Sequence, residues 1–112
     1  MFLTRQSVCE RLRMSQSASY REPWLRPRRH MVSSQDVLAM LNRSARAGLA
    51  MFAEDGQIPD AMTAEEVESA TGYPARRLVL ATRHARNPLP HWRINSHVVR
   101  FHLPSVLDWL RS

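Results

Sequence analysis

The C-terminal half of the sequence carries a close succession of helix signals, and these constrain the fold more than any other feature. Thr63 and Glu66 have the spacing of a capping box, which marks the start of a helix. Gly72 is placed to end that helix in a left-handed conformation, and Pro74 suits the first turn of another helix. The signals therefore predict two short helices joined by a tight turn. Their expected ranges are 63–71 and 75–86.

A hairpin is predicted after the second helix. Apolar and polar residues alternate on both sides of the tripeptide 95–97, which is typical of two antiparallel strands joined by a short turn. One face of the hairpin is expected to pack on the helices. The same alternation places Arg93 and Arg100 near each other on the opposite, exposed face. A last short helix is predicted to begin at Pro104. The apolar positions of the hairpin are Trp92, Ile94, Val99, Phe101 and Leu103.

The N-terminal half contains one clear amphipathic segment, residues 34–53, with apolar residues at three- and four-residue steps. Such a helix needs a partner surface, which is either its own domain or a neighbouring protomer. Residues 1–30 lack a steady apolar period, which predicts disorder or a frayed helix. Their arginines and serines also resemble a transit peptide, and Met31 is an alternative start. The expected organisation is a basic segment 1–30, a helix and linker 31–61, and a folded domain 62–112.

Charge is segregated along the 112 residues. Residues 1–30 contain seven arginines and two acids, residues 31–72 two arginines and seven acids, and residues 73–112 seven arginines and one acid. All 16 basic residues are arginines, a choice that suits phosphates and guanine edges but also follows from codon bias in a GC-rich genome. The C-terminal basic block coincides with the predicted helices and hairpin. It indicates a polyanionic partner.

Several classes of protein are disfavoured by the sequence. No apolar run reaches the roughly 18 residues of a membrane-spanning helix, and Cys9 alone cannot form an internal disulfide. The neighbouring acids within 65–68 belong to a helix surface and do not form a positioned catalytic pair. The histidines within 84–102 lack the spacing of a recognised metal site. We therefore expect a cytoplasmic protein that is not an enzyme and that uses no metal or cofactor.

One ordered set of residues resembles a known family. The set is Thr63, Glu66, Gly72, Arg76-Arg77-Leu78, Leu89-Pro90, Trp92, Arg93-Ile94, Val99-Arg100-Phe101 and Asp108-Trp109-Leu110. Over residues 62–112, slightly under half of the chain, it resembles the excisionase-type winged helix-turn-helix domains, which are related to the MerR and AlpA DNA-binding domains. Pro74 stands where this family usually has Ser or Thr, so the helix must be capped differently. Ala81 stands where a tryptophan is common.

The resemblance implies an α+β, mainly helical fold, a winged helix-turn-helix with a two-stranded antiparallel wing and an N-terminal helical extension. It implies that the outward face of the second helix enters the major groove of DNA, where Arg76 reads guanine. The two hairpin arginines would contact phosphates or the adjacent minor groove. The expected DNA-binding residues are Arg76, Arg77, Leu80, Arg83, Arg86, Arg93, Asn95, Ser96, His97 and Arg100.

The family precedent implies a recombination directionality factor. Several protomers would bind side by side near an attachment site, bend the double-stranded DNA and favour excision of a prophage or integrative element by a tyrosine or serine integrase in the bacterial nucleoid. The charge blocks predict head-to-tail self-association, with helix 34–53 completing the contact. One alternative is a stand-alone AlpA- or MerR-like transcriptional regulator. Another is a protein-interaction adaptor that uses the acidic block 54–68 and the helix 34–53.

Overall fold

The fold is α+β, with helices distributed around two small antiparallel sheets. The computed structural model describes residues 2–15, 31–49, 52 and 57–112. The helices within these residues are α1 (Arg5–Leu12), α2 (Ser34–Ser44), α3 (Ala64–Thr71), α4 (Ala75–Ala81) and α5 (Leu103–Arg111). The strands are β1 (Phe2–Thr4), β2 (Met31–Ser33), β3 (Ala45–Arg46), β4 (His91–Asn95) and β5 (Val98–Arg100). No helix of the described ranges is long and apolar enough to span a membrane.

Residues 2–15 form a strand and a capped helix, where disorder or a frayed helix was expected for 1–30. β1 pairs with β2 in antiparallel register, and α1 begins at a side-chain cap made by Thr4. The helix is anchored by Val8 and Leu12, which are both 0% exposed. Two apolar residues four positions apart are too few to establish a helical period, so the sequence does not predict this helix. The rest of the segment lies outside the described residues.

α2 is shorter than the helix expected over 34–53. After Ser44 the chain becomes extended, and β3 pairs with β4. Ala47 and Gly48 then adopt left-handed conformations with φ of 60° and 78°, which turn the chain. The spacing of apolar residues continues past the helix as far as Leu49, which is also buried but lies in a loop. Strand pairing with a distant segment therefore overrides the local helical pattern.

The β4–β5 hairpin lies between two hydrophobic cores. The first core packs α1, α2 and β2 against Trp92, and the second packs α3, α4 and α5 around Phe101. Trp92 and Phe101 are both 0% exposed. The sheet order is β3-β4-β5, so the expected two-stranded wing has a third strand. This third strand comes from the N-terminal half, which is therefore part of the same fold and not an extension of it.

The hairpin, with its turn at Ser96 and His97, is confirmed, but the expected facing of its side chains is wrong. Trp92 lies opposite Arg100, and Arg93 lies opposite Val99, with a bulge after Arg93. Cross-strand partners project from the same face of a sheet. Arg93 and Arg100 therefore lie on opposite faces. The expectation failed because it assumed that one face of the hairpin is exposed to solvent, whereas each face covers a core.

α3 and α4 begin where their local signals place them. The Thr63 hydroxyl accepts a hydrogen bond from the Glu66 N–H (3.2 Å), and the Glu66 carboxylate accepts one from the Thr63 N–H (3.1 Å). Gly72 ends α3 with a φ of 79°. α4, however, ends at Ala81 and not near residue 86. The Leu89 N–H donates to the Ala81 carbonyl (2.9 Å), so the chain folds back on the helix end.

Candidate nucleic-acid interface

α4 presents a basic face to solvent. Leu78 is 0% exposed and Ala81 8% exposed, and both pack into the second core. Residues on the other side of a helix then point outward, and Arg76 and Arg77 are indeed exposed, with Leu80 at 59% exposure. The expected orientation of this helix is thus confirmed.

The first turn of α4 is capped by a side chain from the preceding helix. Pro74, at the N-cap position, makes no side-chain capping bond. Instead, the Glu68 carboxylate of α3 accepts a hydrogen bond from the Ala75 N–H at 2.9 Å. A carboxylate is favourable at the positive end of a helix. The lack of a capping side chain at Pro74 is therefore compensated, and no local sequence pattern indicated Glu68 as a component of this surface.

The loop 82–90 carries the next two arginines of the expected site. His84 Nδ1 accepts hydrogen bonds from the Arg86 N–H (3.3 Å) and the Asn87 N–H (3.0 Å). Trp109 of α5 donates from Nε1 to the Asn87 carbonyl at 3.0 Å. These bonds give the loop a defined course, although Arg83 and Arg86 no longer belong to a helix. Both side chains are exposed beside the end of α4.

The arginines fall into two groups according to their contacts. In the first core region, the Arg11 guanidinium donates to the Ile58 carbonyl at 3.0 Å. Arg13 forms ion pairs with Asp60 and Glu66, both at 3.1 Å. The second group has neither a hydrogen bond nor an ion pair from its guanidinium groups to any residue of the described ranges. This second group consists of Arg76, Arg77, Arg83 and Arg86 on α4 and its loop, together with Arg43 on α2 and Arg93 on β4.

Arg100 belongs to the first group, contrary to the expected site. Its Nε donates to the Leu12 carbonyl at 2.8 Å and its Nη2 to the Arg13 carbonyl at 2.7 Å. Burial lowers the pKa of the Arg100 guanidinium, and the nearby Glu66 carboxylate opposes this effect. The guanidinium is therefore committed to the end of α1. The structure does not bring it to the exposed face of α4.

The remaining hairpin residues of the expected site lie around the turn. Asn95 accepts a hydrogen bond from the His97 N–H through its side-chain oxygen (2.8 Å), which shapes the turn. Ser96 and His97 are exposed, and Arg93 is partly buried. Arg93 lies on the sheet face that covers the second core. The hairpin tip is thus polar, and in the sequence it is separated from α4 by the loop 82–90 and by β4.

The histidines are used in packing and turns. His91 is buried and donates from Nδ1 to the Leu89 carbonyl at 2.8 Å, and its burial lowers its pKa. Burial also lowers the pKa of His102, whose ring contacts Trp92 edge to face. Within the part of the chain that the structure describes, no group of three His, Cys, Asp or Glu residues could hold a metal ion.

A shallow polar groove lies on the N-terminal half, with a volume of about 360 Å³. Its two arginines are already engaged, by the Ile58 carbonyl and by two carboxylates. The groove is therefore a site of internal contacts. Its lining residues are Ser7, Glu10, Arg11, Arg13 and Asp60.

Comparisons with models of known protein families, with curated protein sequences and with solved structures found no match to this chain.

Proposed function

We propose that residues 62–112 form a winged helix-turn-helix domain that binds double-stranded DNA through α4 and the loop 82–90. The proposal is carried by the division of the arginines into two groups. Arg11, Arg13 and Arg100 hold the fold, whereas four exposed guanidinium groups close together in the sequence, on α4 and its loop, have no partner among the described residues. The unpaired Arg43 lies apart from them on α2. A cluster of unengaged, exposed cations is what neutralisation of DNA phosphates requires.

The order of elements supports the choice of this domain type. α3, the turn at Gly72, α4 and the β4–β5 hairpin follow one another as they do in a winged helix-turn-helix. In such domains the second helix lies in the major groove. Arg76 on its outward face would then read a guanine through two hydrogen bonds, and Arg77 and Arg83 would contact bases or phosphates.

A salt titration tests the proposal. The four exposed arginines and Arg93 would neutralise about five phosphates, so the affinity measured by fluorescence anisotropy should fall with a logarithmic salt slope of about −4.5. Replacing the four by alanine should bring the slope close to −1. Arg43→Ala is the matched control, because Arg43 is an exposed arginine on α2, and it should leave the slope unchanged. A slope near zero for the unaltered protein would exclude DNA binding.

For the biological role, we propose a recombination directionality factor, and this step rests on the resemblance of residues 62–112 to excisionases. The protein would bend DNA near an attachment site and favour excision by an integrase. The test is an excision assay with the integrase of the same mobile element, with bending measured by gel mobility. Specific binding without stimulation of excision would instead favour the transcriptional regulator.

Cooperative loading of several protomers remains part of the proposal, but α2 cannot assist it as expected. Val37, Leu38 and Leu41 of its apolar face are each 0% exposed within the same chain. A head-to-tail contact would therefore rest on the acidic and basic blocks alone. The same burial removes α2 as the docking surface of a protein adaptor. Cooperativity that disappears at high salt would support the charge-based contact, and non-cooperative binding at low salt would exclude it.

A further inference from the structure

Two apolar side chains are exposed in the middle of the basic face of α4. Val79 is 41% exposed and Leu80 is 59% exposed. Their neighbour Leu78 packs into the second core and is 0% exposed. Leaving a leucine exposed forgoes roughly 2 kcal/mol of burial free energy. No described residue covers these side chains, although arginines precede and follow them on the helix and its loop.

Leu80 and Arg76 lie one above the other on α4. Residues four apart in a helix occupy the same face, about 6 Å apart along the axis. A helix that reads a guanine with Arg76 would therefore place Leu80 near a base pair one or two steps away, since base pairs are spaced by about 3.4 Å. The C5-methyl of thymine is the apolar group that the major groove offers at that depth.

The character of this surface favours DNA over a protein partner. A stable protein interface buries about 800 Å² on each side, and its core is depleted of charged residues. Here two adjacent apolar side chains have two exposed arginines before them and two after them in the sequence. A methyl group at the edge of a base needs only one such side chain, and the phosphates on both sides of the groove match the arginines in charge.

We infer that Leu80 contacts a thymine C5-methyl group and that the DNA site contains this thymine one or two base pairs from the guanine read by Arg76. The inference rests on the proposed DNA binding and adds a specificity-determining residue to it. Val79 lies at the edge of the same contact and contributes less, because it projects away from the helix face that Arg76 and Leu80 share.

The test separates the methyl group from every other feature of the DNA. A binding site is first selected from random DNA with the full chain, and each thymine is then replaced singly by deoxyuridine, which removes only the methyl group. We expect one replacement near a guanine to weaken binding by about three- to tenfold. Leu80→Ala should weaken binding to the thymine-containing site by a similar factor and should be insensitive to that replacement.

Two controls keep the result interpretable. Leu80 is exposed, so Leu80→Ala should retain the circular dichroism spectrum and unfolding midpoint of the unaltered protein. Arg43→Ala should keep the full sensitivity to deoxyuridine. Selective binding with no deoxyuridine-sensitive position would overturn the inference and leave DNA binding intact, as would a sensitivity that survives Leu80→Ala. Failure of the full chain to bind any DNA would overturn the proposed function itself.

Discussion

Arg100 joins the two halves of the protein. Its guanidinium donates to the carbonyls of Leu12 and Arg13 at the end of α1, at 2.8 Å and 2.7 Å. The last carbonyls of a helix have no partner within the helix, and a cation near them also interacts favourably with the helix dipole. A phosphate contact would break these bonds. Arg100 therefore stabilises the fold, although its residue type and its position in the sequence both resemble those of a DNA contact.

Arg100→Ala should lower the free energy of unfolding by about 2 kcal/mol, because two partly buried carbonyls lose a charged donor. Arg76→Ala is the matched control. Its side chain is exposed and without a described partner, so the change in stability should stay within about 0.5 kcal/mol. Urea denaturation followed by circular dichroism measures both. Equal stability of the two variants would contradict the assigned role of Arg100.

Glu66 makes stability depend on acidic pH. The Thr63 N–H and the Arg13 guanidinium hold the pKa of its carboxylate below the ordinary value of 4.5. A carboxylate with a lowered pKa in the folded state contributes stability above its unfolded pKa and loses it as the pH falls through the folded pKa. This contribution is therefore complete above pH 4.5 and lost below it.

In Glu66→Gln, the unfolding free energy should fall less steeply below pH 4.5 than in the unaltered protein. Glutamine keeps the capping-box geometry and removes the charge. The side chain is 39% exposed, so solvent screening limits the difference at pH 7 to about 1 kcal/mol. Glu65→Gln is the control, since Glu65 is an exposed neighbour outside the capping box. Parallel pH profiles for the Glu66 variant and the unaltered protein would refute the assignment.

The turn between α3 and α4 depends on Gly72. Its φ of 79° lies in the left-handed region, and a Cβ at this position would meet no atom within 4 Å. A substitution there should therefore cost only backbone strain and no steric clash.

Gly72→Ala should destabilise the protein by about 1 kcal/mol, and Gly72→Asn by less, because asparagine tolerates the left-handed conformation. Thermal unfolding should rank the three proteins, from most to least stable, as the unaltered protein, the asparagine variant and the alanine variant. If the alanine variant were at least as stable as the asparagine variant, the turn would not require a left-handed conformation at position 72. Neither variant alters the exposed face of α4, so DNA affinity serves as a check that the helix keeps its orientation.

The element boundaries that the sequence predicts well are those set by neighbouring residues. Thr63 and Glu66 start α3, and Gly72 ends it, through contacts within a few positions of each other. The end of α4 was misjudged because Leu89, eight residues further on, bonds to its last residue. The facing of Arg100 was misjudged because α1 lies almost ninety residues away, and no local pattern records such a contact.

The exposed face of α4 follows from helical periodicity, so the positions of Arg76, Arg77 and Leu80 could be predicted. Its cap could not, because Pro74 gives no sign that Glu68 of the preceding helix supplies the carboxylate. The facing of the hairpin side chains could not be predicted for a related reason. A strand pattern gives the period of two but not whether one or both faces are covered.

For the molecule as a whole, the two cores share one sheet. Trp92 and Arg100 face the N-terminal half, and Phe101 faces the C-terminal half. The segment 2–15 contributes Val8 and Leu12 to the first core, each 0% exposed. Removing this segment would uncover apolar surface and leave the Arg100 guanidinium without its acceptors.

A protein truncated to residues 31–112 should lose at least about 4 kcal/mol of stability, from two fully buried apolar side chains at roughly 2 kcal/mol each. Leu12→Ala in the full chain should lose about 2–5 kcal/mol, and Gln6→Ala, on the exposed side of α1, almost nothing. Urea denaturation followed by circular dichroism measures these changes. Stability of the truncated protein equal to that of the full chain would show that α1 is dispensable.

The bond from Arg100 to Leu12 spans 88 residues, and this has a consequence for synthesis of the protein in a cell. At translation rates of about 5–20 residues per second, α1 is made roughly 4–18 s before the residue that holds its end. Trp92, which fills the first core, comes only slightly earlier. Until both have been translated, Val8 and Leu12 have no complete core to enter. The segment 2–15 is thus fixed only after the hairpin has been translated, so folding of this part of the molecule lags behind its synthesis by most of the length that separates the two.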